Sequence, residues 1–85
     1  MGIFQAIKRV VTGEVVKKLD ILINGGMTTV SLRLKQDRKE GEKYVVLAFI
    51  SSGNYQYCSL SAGEFREFVE AASKLQSDLA KSKPI

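Results

Sequence analysis

With 85 residues the chain has room for one domain with a small core, and a monomer of that size leaves much apolar surface exposed, so self-association is expected. It contains no histidine and one cysteine, Cys58. That removes histidine acid–base catalysis, Ser-His and Cys-His nucleophiles and an internal disulfide framework, and it argues against a zinc site. The net charge of +4 and pI near 9.4 favour acidic partners such as nucleic acid or anionic lipid.

Residues 2–11 place Ile3, Phe4, Ile7, Val10 and Val11 on one helical face, with Gln5, Lys8 and Arg9 opposite and Gly13 as a stop signal. A short N-terminal helix packed on the domain is predicted. The alternative, a membrane-surface anchor, would rest on only two basic residues. The long apolar stretch of a signal peptide is missing, and Ala6 sits where a myristoylation signal has serine or threonine. The longest apolar run, Tyr44 to Ile50, is too short to span a bilayer. An intracellular protein, cytoplasmic or nuclear and without a membrane partner, is the expectation.

Residues 15–60 read as a four-stranded antiparallel sheet. Val15 to Asn24 and Thr28 to Lys35 alternate around Asn24-Gly25-Gly26-Met27, which is turn chemistry. A two-residue turn at Gly26-Met27 would pair Ile23 with Val30, Ile21 with Leu32 and Leu19 with Leu34 on one apolar face. Asp37 to Glu42 is a charged connection, expected to be a flexible loop. Tyr44 to Ser52 and Tyr55 to Leu60 form the second hairpin around Gly53-Asn54, pairing Phe49 with Cys58 and Ala48 with Ser59. The third strand is apolar on both faces and should be internal or meet a second subunit.

Residues 61–81 read as a helix. Ser61 followed three residues later by Glu64 is a capping-box pattern. Phe65, Phe68, Val69, Ala72, Leu75 and Leu79 then lie on one stripe, which should pack on the sheet. The last residues, 80–85, should fray. The fold class expected is therefore α+β: a single domain over 1–85, with a four-stranded antiparallel meander, a C-terminal helix on one face, a short N-terminal helix and a dimeric assembly.

The other sheet face should display Lys18, Asp20 and Leu22; Thr29, Ser31, Arg33 and Lys35; Tyr44, Val46, Ala48 and Ile50; and Tyr55, Tyr57 and Ser59. In the expected register Asp20 opposes Arg33, and Lys18 opposes Lys35. Two like charges facing each other are unfavourable unless an anion lies near, and a phosphate would serve. Bases can stack on tyrosine rings while lysine or arginine follows the phosphates. The helix beyond its stripe is near neutral, so the excess positive charge belongs to the sheet, its loops and the first segment. The competing reading is ordinary: tyrosine and threonine suit any strand, and surface lysine keeps an edge soluble.

The stretch Tyr57-Cys58-Ser59-Leu60-Ser61-Ala62-Gly63-Glu64-Phe65-Arg66-Glu67-Phe68 resembles the end of a PUR repeat. There a leucine-serine precedes a helix containing Glu-Phe-Arg, matched here by Leu60-Ser61 and Glu64-Phe65-Arg66. Four antiparallel strands and a long helix are the unit of that family. Related units occur in Whirly proteins and in the single-stranded-DNA-binding transcriptional coactivators. The resemblance covers about a quarter of the chain by sequence and the rest by layout. It implies single-stranded DNA or RNA binding on the sheet and pairing of repeats through their helices. A chain with room for one repeat would pair with itself. Carried over by strand position, the binding residues implied are Lys18, Arg33, Lys35 and Tyr57. A helix before the strands departs from that layout and also suits other small α/β folds, among them the RNA-binding heterodimer of the signal recognition particle.

The function expected is single-stranded nucleic-acid binding by a homodimer through Lys18, Arg33, Lys35, Tyr44, Tyr55 and Tyr57. The alternative is a homo-oligomeric assembly module in which Tyr44, Ile50 and Tyr57 form a subunit contact. The carboxylates Asp20, Asp37, Glu40 and Glu42 lack a partner at catalytic spacing, and Gly25-Gly26 is explained by its turn, so no enzyme, cofactor, metal or small-molecule substrate is expected.

Overall fold

The structure is a computed structural model that describes residues 12–81. The helix expected over 2–11 lies outside the described residues. The described chain forms strand β1 (Glu14–Ile23), a 3-10 turn (Asn24–Gly26), β2 (Thr28–Gln36), β3 (Lys43–Ser51), β4 (Asn54–Leu60) and helix α1 (Ala62–Lys81). The strands pair antiparallel in the order β1-β2-β3-β4, which makes β3 internal, as its two apolar faces require. The architecture is α+β, an open four-stranded sheet with the C-terminal helix packed against it.

Both hairpins are registered two residues away from expectation. Ile21 faces Val30 and Leu19 faces Leu32. The cause is the first loop. Asn24 (φ 53°), Gly25 (φ 65°) and Gly26 (φ 88°) are all left-handed, a run that asparagine and glycine adopt at low cost. The Met27 amide donates to the Asn24 carbonyl at 3.2 Å, and Asn24 Nδ2 donates to Thr28 Oγ1 at 3.3 Å. The loop thus takes four residues, Asn24 to Met27, instead of two. The second hairpin turns on Ser52-Gly53, with Gly53 at φ 70°, and pairs Leu47 with Cys58 and Ala48 with Tyr57. From Lys17 onward, shifts of two residues leave the side chains on the faces expected for them, because strand side chains alternate with period two. They do change the neighbours: Asp20 opposes Ser31, and Lys18 opposes Arg33.

Two local features were not foreseen. β1 carries a bulge between Val15 and Lys17. The charged connection contains a hydrogen-bonded turn. Asp37 Oδ1 accepts from the Lys39 and Glu40 amides at 2.8 and 3.2 Å, and the Asp37 amide donates to the Glu42 carbonyl at 2.8 Å. Such an aspartate turn satisfies backbone donors that a charged loop would otherwise leave to water.

Both arms of the capping box at the start of α1 are formed. The Glu64 amide donates to Ser61 Oγ at 3.2 Å, and the Ser61 amide donates to Glu64 Oε1 at 2.9 Å. The helix rests on β3 and β4. Phe65 is half-buried, stacks on Phe68 with ring centroids 6.2 Å apart, and lines a cavity of about 220 Å³ with Lys17, Leu19, Leu32, Leu34 and Val45. Farther along, the stripe is uncovered, with Leu75 70% and Leu79 72% exposed. On the helix-side face of the sheet Leu19 is 56% and Ile21 53% exposed, and Phe49 is also exposed. Only the first turns of the helix roof the sheet, and the buried residues belong to β3 and the adjacent part of β2.

Candidate nucleic-acid interface

The face away from α1 is built in cross-strand rows. Lys18, Arg33, Val46 and Ser59 form one row, and Asp20, Ser31, Ala48 and Tyr57 the next. Leu22, Thr29, Ile50 and Tyr55 form a third, while Lys35 pairs with Tyr44 toward the far end. The six residues expected to contact nucleic acid, Lys18, Arg33, Lys35, Tyr44, Tyr55 and Tyr57, therefore all lie on one face. They do not share one environment.

Arg33 is the organising side chain. Its Nε donates to Ser31 Oγ at 3.1 Å, and its guanidinium carbon lies 5.8 Å from the centroid of the Tyr57 ring. Tyr57 is on β4 and Arg33 on β2, so the arginine arm reaches across β3 at Ala48. Small residues in that row, Ser31 and Ala48, leave the room. Both are fully buried. The arginine–tyrosine contact contributes roughly 0.5–1 kcal/mol at a partly exposed site. It sets a cation over an aromatic ring, with the guanidinium oriented by its hydrogen bond to Ser31.

Lys18 stands beside Arg33 on β1. Its Nζ is 3.7 Å from Asp20 Oδ2, with both side chains about half exposed (51% and 45%). An ion pair of that kind is worth only about 0.2–1 kcal/mol, so Lys18 remains available to a competing anion. Tyr55 is 63% and Tyr57 43% exposed.

Lys35 and Tyr44 are buried, against the expectation that the whole face is open. The Tyr44 hydroxyl donates to the Thr12 carbonyl at 3.2 Å. Gly13, at φ 82°, passes so close to the Tyr44 hydroxyl that a side chain there would collide with it. Burial lowers the pKa of Lys35, and the nearby Arg33 charge lowers it further. What stays exposed on this face is Lys18, with part of Arg33, and the two tyrosines Tyr55 and Tyr57 on β4; Lys35 and Tyr44 lie in the next row of the same face and are buried, as are Ser31, Val46 and Ala48 in the middle of it.

Ser31 and Ala48 were legible as members of this face but not as the seat of the arginine. A small pair opposite each other on a face of long side chains is the signal that marks them. Among the described residues no cluster of three or more histidine, cysteine or acidic side chains could hold a metal ion, and no helix is long and apolar enough to cross a membrane. Compared with models of known protein families, with characterised proteins and with solved structures, the chain matches none.

Proposed function

We propose that this protein binds single-stranded DNA or RNA as an intracellular, non-enzymatic homodimer. The observation that carries the reading is the contact of Arg33 with the Tyr57 ring, with Lys18 opposite Arg33 on β1 and the exposed Tyr55 on β4 of the same sheet face. Two like charges placed side by side favour an anion between them, and rings at the same level offer bases a stacking surface. The likeness of Leu60-Ser61 and Glu64-Phe65-Arg66 to a PUR repeat implies the same chemistry.

Fluorescence polarisation with labelled single-stranded oligonucleotides tests the reading. Each phosphate contact on a single strand contributes about −0.7 to the slope of log K against log salt, so Lys18 and Arg33 together predict about −1.4 per chain. Lys18→Glu should flatten that slope. Tyr55→Ala should weaken binding by roughly 1–3 kcal/mol and leave the slope unchanged. Absence of binding at low salt ends the proposal.

A second reading is supported by Leu22, which is exposed beside Asp20 on this face. There the face would be a subunit contact without nucleic acid. It predicts that Tyr57→Ala or Leu22→Glu changes the oligomeric mass, whereas the nucleic-acid reading predicts no change.

A further inference from the structure

We infer that residues 2–11 of this chain dock on the sheet face away from α1, along β2 and β3, with their apolar residues against Tyr44, Val46 and Ala48. The inference concerns the single folded chain and holds whether or not nucleic acid binds.

Burial on this sheet is the reverse of what α1 alone would produce. Beneath the helix, Val45 is 8% and Leu47 7% exposed, and Leu19, Ile21 and Phe49 are largely in water. On the face away from it, Tyr44 is 2%, Val46 1% and Ala48 0% exposed, and Ser31 and Lys35 are buried with them. The Arg33 arm shields part of the Ser31–Ala48 row. It runs toward Tyr57 and so away from the row of Lys35 and Tyr44. Backbone pairing closes a strand's edges and not its faces, so this strip has a cover.

The cover is narrow. The residues it hides lie on β2 and β3, whereas Lys18 and Leu22 on β1 and Tyr55 and Tyr57 on β4 keep much of their surface in water. Two strands at about 4.8 Å spacing make a strip roughly 10 Å wide, which is the width of one helix. Along the strand, Tyr44 to Ala48 spans about 13 Å, and a helix of ten residues is about 15 Å long. Ile50 and Thr29, one row beyond Ala48, are only half-buried, so the cover ends there.

The point where the described chain begins identifies the occupant. Thr12 accepts the Tyr44 hydroxyl bond, and Gly13 lies against the same hydroxyl, so the residues before Thr12 leave from one end of the buried strip. Among them Ile3, Phe4, Ile7, Val10 and Val11 recur at helical spacing, with Gln5, Lys8 and Arg9 on the other side. An apolar stripe thus meets an apolar line, and residues 1–11 carry no carboxylate that docking would bury. The strip is buried within one copy, so the cover belongs to the same chain. Residues 82–85 follow α1, which packs on the opposite face, and are only four.

Methyl NMR on the full chain tests the inference. Nuclear Overhauser contacts should run from the Ile7 and Val10 methyls to those of Val46 and Ala48. Ile7→Glu/Val10→Glu should abolish these contacts and shift the Val46 and Ala48 signals, leaving those of Leu75 and Leu79 in place. Contacts from Ile7 or Val10 to Leu19, Leu32 or Phe65 would seat the segment in the groove under α1 and overturn the inference. Wild-type spectra with contacts to neither face overturn it too. So do Val46 and Ala48 signals that stay unmoved in the folded variant. If the variant does not fold, the wild-type contacts decide alone.

Discussion

Arg33 and Lys35 sit two residues apart on one strand, yet they meet opposite conditions. Arg33 is held against Ser31 and Tyr57 and stays partly exposed, while Lys35, in the next row of the same face, is buried beside Tyr44. Burial first, and then the Arg33 charge, lowers the Lys35 pKa below its ordinary 10.5. The folded chain gives up this proton before the unfolded chain does. Below the lowered pKa both forms are protonated, and the cost of burying the ammonium is fully present. Between the lowered pKa and 10.5 the unfolded chain holds more protons, so this group's contribution to stability rises with pH. Lys35→Met removes the titration. The wild type should therefore gain on Lys35→Met as pH is raised from neutral toward 10.5, read as the difference in urea midpoints. A difference that stays constant would mean that the lysine is not desolvated. The side of the sheet that Lys35 occupies was legible, because strand alternation assigns it. Its burial was not. Alternation says which way a side chain points and nothing about what closes over it, and the Tyr44–Thr12 contact joins residues 32 apart in sequence.

At the scale of elements, the helix start was fully legible and the hairpin registers were not. The capping box is a local pattern whose partners are three residues apart, and both of its hydrogen bonds form. Ser61→Ala should cost about 1 kcal/mol. For a domain of this size that corresponds to a loss of roughly 4–8 °C in Tm at fixed protein concentration. Glu64→Gln keeps an acceptor for the Ser61 amide and should stay near wild type. Equal losses in the two variants would show that helix charge rather than the reciprocal bonds sets this end. The registers depended on which residues of Asn24-Gly25-Gly26-Met27 and Ser52-Gly53-Asn54 form the turn. Apolar alternation constrains pairing only up to steps of two, so Leu19 matches Leu32 as well as Leu34. Three consecutive left-handed residues decided the first loop, and the rare tolerance of asparagine for that region admitted Asn24 to the run.

At the scale of the molecule, the apolar groove under α1 and the buried strip over β2 and β3 lie on opposite sides of one sheet. The helix stripe was legible as amphipathic, but an apolar stripe says only that something covers it. A single α1 is too narrow to roof four strands, and that follows from the strand count together with the point where the helix leaves the sheet. The outer face repeats that geometry. With residues 2–11 docked over β2 and β3, a nucleic-acid strand reaching from Lys18 to Tyr55 and Tyr57 runs across the segment, whose polar side carries Lys8 and Arg9. Those two cations add to Lys18 and Arg33, so the slope of log K against log salt should steepen from about −1.4 to about −2.8. Lys8→Gln/Arg9→Gln leaves the apolar stripe intact. It should return the slope to about −1.4 and keep the circular dichroism. Polarisation titrations of both proteins over a range of salt check this. A wild-type slope near −1.4 that the variant does not change would mean that the strand bypasses the segment, and Lys8 and Arg9 would then have no part in binding.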